Sequence, residues 1–558
     1  MGVPPRYDAF RALARRRGRT GRELLESLAR ARSATADGPQ EWAPGVAADA
    51  GLPAAAGLGP ASYYADLASP HGRRHVRVCT ATACFAARGG CHVDEVEREL
   101  GVAVDRVAAD GSVSLQAVRC LGYCYASPAA LDGDMPCTGS AVAAQLAGRE
   151  SRRDPPIPVS DATGDPVLLA GITRGGTGWQ AWPRVVADMT PDAFQAQVAV
   201  SGLRGRGGAG FPVAAKWSAA GRRRGTVVVA NGDEGDPGSF ADRLLMERDP
   251  DRVLEGLALA CFACGADEGL VLVRSEYPRA LERMREAVAR AYAEGHLGEA
   301  VHGGPVGLDV RVVAGAGSYV AGEETALIAG LEGGRGCARA RPPFPTDHGL
   351  WQAPTVVNNV ETLAALPWIA LHGGAAYARR GVPEQSGTKL VSLSERFARP
   401  GVYEVEFGVP LRWVVTELGG GLREGSALAV LQVGGPLGGF LAPDALDVPL
   451  TDDGLAEHGA ALGHAGLVAL DERLEPSEVL RHVWQFAEAE SCGACSPCRI
   501  GSRRGLALVS AGDTPDAQYS RLLDLMAETS LCAFGRRVPA SVRSLARAYG
   551  NRLAGWDR

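Results

Sequence analysis

The segment Arg22 to Arg30 (Arg-Glu-Leu-Leu-Glu-Ser-Leu-Ala-Arg) sets its apolar residues at helical spacing and is followed by Ala-rich stretches broken by Gly and Pro. Residues 1–70 are therefore expected to form a small helical region. From His75 the pattern shortens to strand-like runs, Val76-Arg77-Val78 and Val113-Ser114-Leu115, around a helix-like stretch from Val93 to Leu100 whose other face is charged. This predicts a compact α/β unit over 71–149. Glu150 to Pro158 is charged and proline-rich, the composition of a semi-rigid linker placed at 150–164. Over 165–386, glycine-rich loops alternate with apolar runs such as Thr226 to Ala230 and Gly269 to Val273, which implies a sheet layered with helices. Short strands including Val402 to Val405 and Ala429 to Val433 suggest a β-rich module at 387–442, followed by a connector at 443–475. Helical periodicity returns in Ser477 to Glu490, Ser502 to Leu508 and Ser520 to Glu528, giving a helical domain over 476–558. The fold class expected is α/β, multidomain.

Composition narrows the function. A chain of 558 residues with 46% hydrophobic and 22% charged residues is globular and too long for one core. A net charge of -6 argues against general nucleic-acid binding, and the basic run Arg15 to Arg19 reads as a solvated helix end. The first residues show no apolar core ahead of a small-residue cleavage site, so export is not expected. The longest uncharged run, Gly425 to Pro443, holds five glycines and two prolines, which favours strands and turns over a membrane helix.

The thirteen cysteines carry the strongest signal. Cys492-Gly-Ala-Cys495-Ser-Pro-Cys498 presents three thiols at C-x2-C-x2-C spacing, and Cys532 supplies a distant fourth. Three corners of a four-iron cube can be held from one such turn. Cys79 and Cys84 from one loop, with Cys120 and Cys124 from another, suit a two-iron rhomb in which each iron takes two sulfurs. Structural zinc remains the rival occupant of both sets. Cys91, Cys137, Cys261, Cys264 and Cys337 lack a complete partner set and read as free core or loop cysteines.

Gly205-Arg-Gly-Gly-Ala-Gly-Phe211 formally satisfies G-x-G-x-x-G, but Pro191 to Val200 before it reads as a helix, so it is not an ordinary dinucleotide loop. It offers unshielded backbone amides, followed by Lys216, to a phosphate or a flat ring. The strand ending at Ala230 leads into Asn231-Gly-Asp233-Glu-Gly-Asp236, at the strand edge where α/β proteins place ligands. Gly315 to Ala326 sets Glu323 and Glu324 at a helix start, where capping is an equally simple role. Asn358 and Asn359 add amides able to pair with a heterocycle.

Together these motifs resemble the NADH-binding flavoprotein subunit of respiratory complex I and its soluble relatives in NAD-linked hydrogenases and formate dehydrogenases, over about residues 165–540. Residues 1 to about 150 resemble the thioredoxin-like 2Fe–2S subunit of the same enzymes, fused here in one chain as in the diaphorase flavoprotein of NAD-reducing hydrogenases. The resemblance implies a thioredoxin-like 2Fe–2S domain, a Rossmann-like FMN and NADH domain, a ubiquitin-like β-grasp module and a C-terminal helical bundle carrying a 4Fe–4S cluster. It further implies that Gly205, Gly207, Lys216, Asn231, Asp233, Tyr319, Gly322, Glu323, Asn358, Asn359 and Thr362 hold FMN. Phe211, Lys216, Asp236, Glu324 and Phe344 would contact NADH. Two positions depart from the family: Asp236 is shorter than the usual glutamate, and Ala219 stands where an adenine-stacking aromatic is common. Cys492, Cys495, Cys498 and Cys532 would ligate the 4Fe–4S cluster, and Cys79, Cys84, Cys120 and Cys124 the 2Fe–2S cluster. No acid–base residue is implied, because hydride passes between the two rings. The implied partners are other subunits of a complex I, hydrogenase or formate dehydrogenase assembly, with neither nucleic acid nor membrane insertion. The implied location is cytoplasmic, soluble or peripheral on the cytoplasmic side. The readings from other classes are a cluster-bearing relay subunit without flavin turnover and a zinc-stabilised binding protein.

Overall fold

The computed structural model describes residues 23–35, 37–176, 178–512 and 515–557; the run Arg15 to Arg19 lies outside them. Helices α1 (Leu24–Ser33), α2 (Pro39–Asp49) and α3 (Ala54–Ala61) form the first layer. Leu24, Leu25 and Leu28 bury one face of α1 against Tyr64 and Leu67, and this small core continues into Ala316 and Ala321, far along the chain.

A five-stranded sheet follows, comprising β1 (Arg74–Cys79), β2 (Arg106–Val107), β3 (Val113–Val118), β4 (Ala129–Asp132) and β5 (Met135–Thr138). Its spatial order is β2-β3-β1-β4-β5. β1 and β3 run parallel, so the chain must cross over between them, and it does so through α4 (Thr82–Arg88) and α5 (Cys91–Leu100).

The third unit is built on four parallel strands, which include β7 (Val227–Gly232), β8 (Glu268–Val273), β9 (Asp309–Ala314) and β10 (Thr355–Asn359), in the order β10-β7-β8-β9. Along β7, Val227 and Val229 face one core while Val228 and Ala230 face another. Helices cover both faces, which is why the strand reads as an unbroken apolar run. The helices that matter below are α6 (Pro191–Ser201), α7 (Val213–Ala220), α8 (Ala241–Arg248), α9 (Pro250–Cys264), α10 (Pro278–Ala293), α11 (Glu324–Leu331), α12 (Pro345–His348) and α13 (Val360–Ala364). In α10 the buried residues are Ala280, Met284, Ala287 and Ala291, one stripe of an amphipathic helix.

A six-stranded mixed sheet follows, with a separate ribbon formed by β11 (Gly381–Val382) and β12 (Gln385–Ser386). Its members are β6 (Val159–Asp161), β13 (Thr388–Leu393), β14 (Gly401–Glu406), β15 (Leu428–Val433), β16 (Phe440–Leu441) and β17 (Gly466–Asp471), in the order β16-β15-β17-β13-β14-β6. The sheet therefore extends beyond the expected 387–442 in both directions. β17 comes from the stretch read as a connector, yet it lies between β15 and β13 with every residue buried. A strand covered on both faces has no polar alternation to betray it. β6 comes from the expected linker and pairs with β14 over only three residues.

The chain ends in four helices: α14 (Pro476–Glu490), α15 (Ser496–Ala511), α16 (Ala517–Thr529) and α17 (Ala533–Tyr549). Their buried side chains belong to the same continuous core as the parallel-sheet unit and the cysteine face of the first sheet. Glu404 of β14 joins two units: its buried carboxylate accepts N–H bonds from Val167, Leu168 and Leu169 and a hydroxyl bond from Thr388. Removing it would leave these buried donors unpaired, at about 1–3 kcal/mol for each one that water does not reach. Glu404→Ala is expected to lower the thermal melting midpoint, whereas an unshifted melting curve would show that water replaces the carboxylate.

Candidate functional site

The C-terminal ends of the four parallel strands converge on one edge. Asn359 at the end of β10 pairs in register with Asn231 of β7. The loop after β7 carries Asp233 and Asp236, the residue after β8 is Arg274, and the loop after β9 leads to Tyr319, Glu323 and Glu324. The glycine loop Gly205 to Phe211 joins α6 to α7, so a helix and not a strand precedes it. A Cβ on Gly207 would lie 3.0 Å from Asn359 Cβ, a tight contact, so the missing side chain lets this loop lie close against the strand edge.

Several of the expected ligands are already hydrogen-bonded, to one another or to neighbouring side chains and backbone. Asn231 Nδ2 donates to Gly322 O (2.9 Å), and Arg206 N donates to Thr362 Oγ1 (2.8 Å). Trp217 Nε1 donates to Asn358 Oδ1 (2.9 Å). Glu323 caps α11 through Thr325 N (2.9 Å) and Ala326 N (3.0 Å) and pairs with Arg341, so the capping role is real. Asn359 caps α13 and donates to Asp242. Lys216 Nζ, on α7, donates to Val357 O (3.0 Å) and lies 3.3 Å from Glu324 Oε1. Phe211 and Phe344 are large apolar side chains left about half exposed. Phe211 precedes α7 and Phe344 caps α12, which packs against α7. Ala219 lies on α7 itself.

A network of buried charge underlies the edge. Burial pushes the Asp233 carboxyl up to about 7, with Arg274 opposing, and burial with Glu234 pushes Asp242 up to about 8. Burial disfavours the charge of His464, yet the Asp236 carboxylate bonded to its Nδ1 (2.9 Å) prevails and lifts it to about 9. Tyr319 donates its hydroxyl to the other oxygen of Asp236.

Both cysteine sets are gathered. Cys79, Cys84, Cys120 and Cys124 are all buried, with Cys120 and Cys124 Sγ 3.4 Å apart. The hydrogen bond with Cys120, then burial, pushes the Cys124 thiol well up. Burial pushes Cys498 up to about 11, and the thiols of Cys495, Cys532 and Cys492 stand close enough to add to the effect. Cys498 lies in the first turn of α15, which begins earlier than its apolar periodicity suggests, and Cys532 caps α17. Among the described residues no three His, Cys, Asp or Glu side chains are arranged for a single metal ion. An iron–sulfur core instead spreads its thiolates over several corners, and its positive irons are what buried thiols need in order to ionise. The donor chemistry thus fits clusters, and the glycine cradle beside the paired amides fits a flavin nucleotide.

Of the remaining cysteines, Cys261 and Cys264 face the core from α9, Cys137 is buried and Cys91 is exposed. Cys337 is not isolated as its spacing suggested: its thiol donates to Cys492 O (3.5 Å). That neighbour holds the Cys492 thiol down, at about 6. Glu234, within the acidic loop but not singled out there, and Arg243, Arg274 and His464, which no motif marks, also belong to the site. The only sequence signal was charge set among apolar and glycine residues, as in Val273-Arg274-Ser275-Glu276 and Gly463-His464-Ala465-Gly466.

A cavity of about 250 Å³ lies between the N-terminal helices, the first sheet, the parallel-sheet unit and the C-terminal helices, lined in part by Tyr63, Gln116, Arg119, Arg274, Tyr319 and Glu490. It borders both cysteine loops and not the glycine loop.

Comparison with known proteins places these features in context. Sequence models of three families match: the Nuo51 FMN-binding domain over residues 198–368, thioredoxin-like 2Fe-2S ferredoxin over 10–140, and the NADH-ubiquinone oxidoreductase-F iron-sulfur binding region over 478–554. The NADP-reducing hydrogenase subunit HndC of Solidesulfovibrio fructosivorans is 39% identical over 382 residues, 67% of this chain and 78% of that protein. An NADH-quinone oxidoreductase subunit of Escherichia coli K12 is 36% identical over 364 residues, 65% of this chain and 81% of its own. A chain in the crystal structure of an NAD+-reducing NiFe hydrogenase superposes with a TM-score of 0.85 at 30% identity, covering 96% of this chain and 94% of that one.

The His464–Asp236 pair generates a pH signature. Because the folded pKa of His464 is raised, its contribution, at most about 3 kcal/mol, is fully present below pH 6.5 and is lost as pH rises through about 9. The melting temperature of His464→Gln should fall below that of the wild type at pH 6, with the gap closing by pH 10. A gap independent of pH would mean that the imidazole is neutral.

Proposed function

The chain belongs to the family of FMN- and iron–sulfur-carrying NADH dehydrogenase subunits found in NADH-quinone oxidoreductases and NAD(P)-linked hydrogenases, and from that premise we propose that it is the diaphorase subunit of a multisubunit redox complex. It is an oxidoreductase acting on NAD(H), with FMN, one 2Fe–2S and one 4Fe–4S cluster as cofactors. The observation that carries this reading is the placement of both cysteine sets against the strand edge that bears the glycine loop and the paired amides. Held at this edge, FMN would supply the exchange between two-electron hydride chemistry and one-electron chemistry at iron–sulfur centres.

The chain's own residues do the rest. The backbone amide of Gly207, with Lys216, suits the flavin phosphate, Gly205 shapes the loop through its N–H bond to Phe211 O (2.9 Å), and Asn231, Asp233, Tyr319, Gly322, Glu323, Asn358, Asn359 and Thr362 frame the ring and its sugar chain. Phe211 and Phe344 offer flat apolar faces to the incoming nucleotide, and Lys216, Glu324 and Asp236 supply its polar contacts. Holding the two rings in contact and excluding water is what hydride transfer requires of the protein. Cys492, Cys495, Cys498 and Cys532 are assigned to the 4Fe–4S cluster, and Cys79, Cys84, Cys120 and Cys124 to the 2Fe–2S cluster.

The partners proposed are the remaining subunits of a hydrogenase- or complex I-type assembly, supported by the match along nearly the whole length of a hydrogenase chain. Among the described residues no helix is long and apolar enough to cross a membrane. Work on the cytoplasmic side, where NAD(H) is held, is the location this reading favours.

The test is NADH-driven ferricyanide reduction by the purified chain. Glu324→Ala should lower kcat/KM for NADH by about tenfold or more, some 1.4 kcal/mol, with FMN content unchanged. Cys495→Ser should abolish the 4Fe–4S paramagnetic signal and spare the 2Fe–2S signal. Unaltered kinetics in the first variant, or a surviving 4Fe–4S signal in the second, would overturn the corresponding assignment.

A further inference from the structure

The loop Cys120-Leu121-Gly122-Tyr123-Cys124 is held from outside its own unit at three successive alternate carbonyls. Arg274 Nη2 donates to Cys120 O (3.1 Å), Arg243 Nη1 donates to Gly122 O (3.0 Å), and Glu395 N donates to Cys124 O (2.8 Å). Both arginines are almost completely buried. Arg243 is fixed by Glu247 (2.7 Å) and lies over the Tyr123 ring, 3.9 Å from its centroid. Arg274 is fixed by Glu276 through two bonds, Nε to Oε2 (3.0 Å) and Nη2 to Oε1 (2.7 Å). Its remaining nitrogen, Nη1, donates to Glu234 O, in the loop that follows β7. One guanidinium therefore bonds the cysteine loop and the nucleotide-edge loop at once.

The loop is shaped to receive these groups. Gly122 sits at φ +73°, and a Cβ there would lie 2.6 Å from the Tyr277 ring, so the loop presses directly on the parallel-sheet unit. Cys120 has φ +96°, a left-handed conformation that a non-glycine residue keeps only when its surroundings enforce it. The bond from Arg274 to the carbonyl of that same residue is such an enforcement.

We infer that Arg274 and Arg243 are positioning residues for the 2Fe–2S cluster: they fix its loop on the flavin unit and raise its reduction potential. This rests on the assignment of Cys79, Cys84, Cys120 and Cys124 to that cluster. A reduced cluster carries one more negative charge than an oxidised one, and a buried guanidinium beside its ligand loop favours the reduced form. Glu276 works in the opposite sense, because its carboxylate offsets the charge of Arg274. The two residues therefore have opposite electrical effects although both serve the same contact.

The experiment is a redox titration of the holoprotein followed by paramagnetic resonance, reading both clusters in the wild type, Arg274→Met, Arg274→Lys and Glu276→Gln. Arg274→Met should shift the 2Fe–2S midpoint downward, Arg274→Lys should recover part of the shift, and Glu276→Gln should shift it upward, with the 4Fe–4S midpoint moving less in each case. A purely structural role would not give shifts of opposite sign. Should Arg274→Met lose its cluster, Glu276→Gln, which keeps both arginines, decides: an upward shift supports the proposal and an unchanged midpoint overturns it. A wild type that lacks any 2Fe–2S signal while the 4Fe–4S signal is present would sink the cluster assignment itself and the arginine proposal with it.

Discussion

The structure depends on hydrogen bonds that run directly from the ligand edge of the four-stranded parallel sheet to both cysteine loops. Arg274, at the end of β8, reaches Cys120 O on one side. Tyr319, in the loop after β9, donates its backbone N–H to the Glu490 carboxylate (2.9 Å), two residues before Cys492. The Tyr319 ring also packs edge-on against Phe486 of α14 (5.1 Å between centroids) and lies 5.6 Å from Phe534, two residues after Cys532. A binding edge and two thiol pockets are thus parts of one packed object. Electron transfer between bound groups needs fixed separations, and here the sites are joined by packed strand ends and side chains.

Buried charge pairs lie around this edge and in the neighbouring six-stranded sheet. Lys389 and Glu361 pair with almost no exposure, Arg396 pairs with Asp471 at the end of β17, and His464 bridges Asp236 toward Asp242. Such pairs contribute little net stability compared with apolar packing, but breaking one partner leaves an uncompensated charge at a cost of about 3–5 kcal/mol. Their effect is geometric. Glu361 follows Asn359 by two residues and binds both Lys389 Nζ and Leu390 N, so the six-stranded sheet is locked in register with the strand end that carries the paired amides.

Much of this was legible in the sequence where periodicity or spacing was strong. The amphipathic helices, the apolar strands Val227 to Ala230 and Gly269 to Val273, and the helix ahead of the glycine loop all lie where their patterns place them. The cysteine spacings identified the two thiol sets because three thiols in one turn, and two pairs from two loops, are geometrically informative. What escaped was set by tertiary context. β17 is buried on both faces and carries no alternation, and β6 is too short to show any. Arg243 and Arg274 serve groups more than a hundred residues away, and a single chain gives no local sign of such partners. Cys337 sat alone in its segment, and only the fold brings it to Cys492.

The most direct test of the central claim is an anaerobic titration of the purified chain with NADH, watched by visible absorbance and low-temperature paramagnetic resonance together. The account predicts that NADH bleaches a flavin band and brings up two distinct iron–sulfur signals within one polypeptide. A protein that stays colourless and unresponsive to NADH, even after reconstitution with iron, sulfide and FMN, would contradict it.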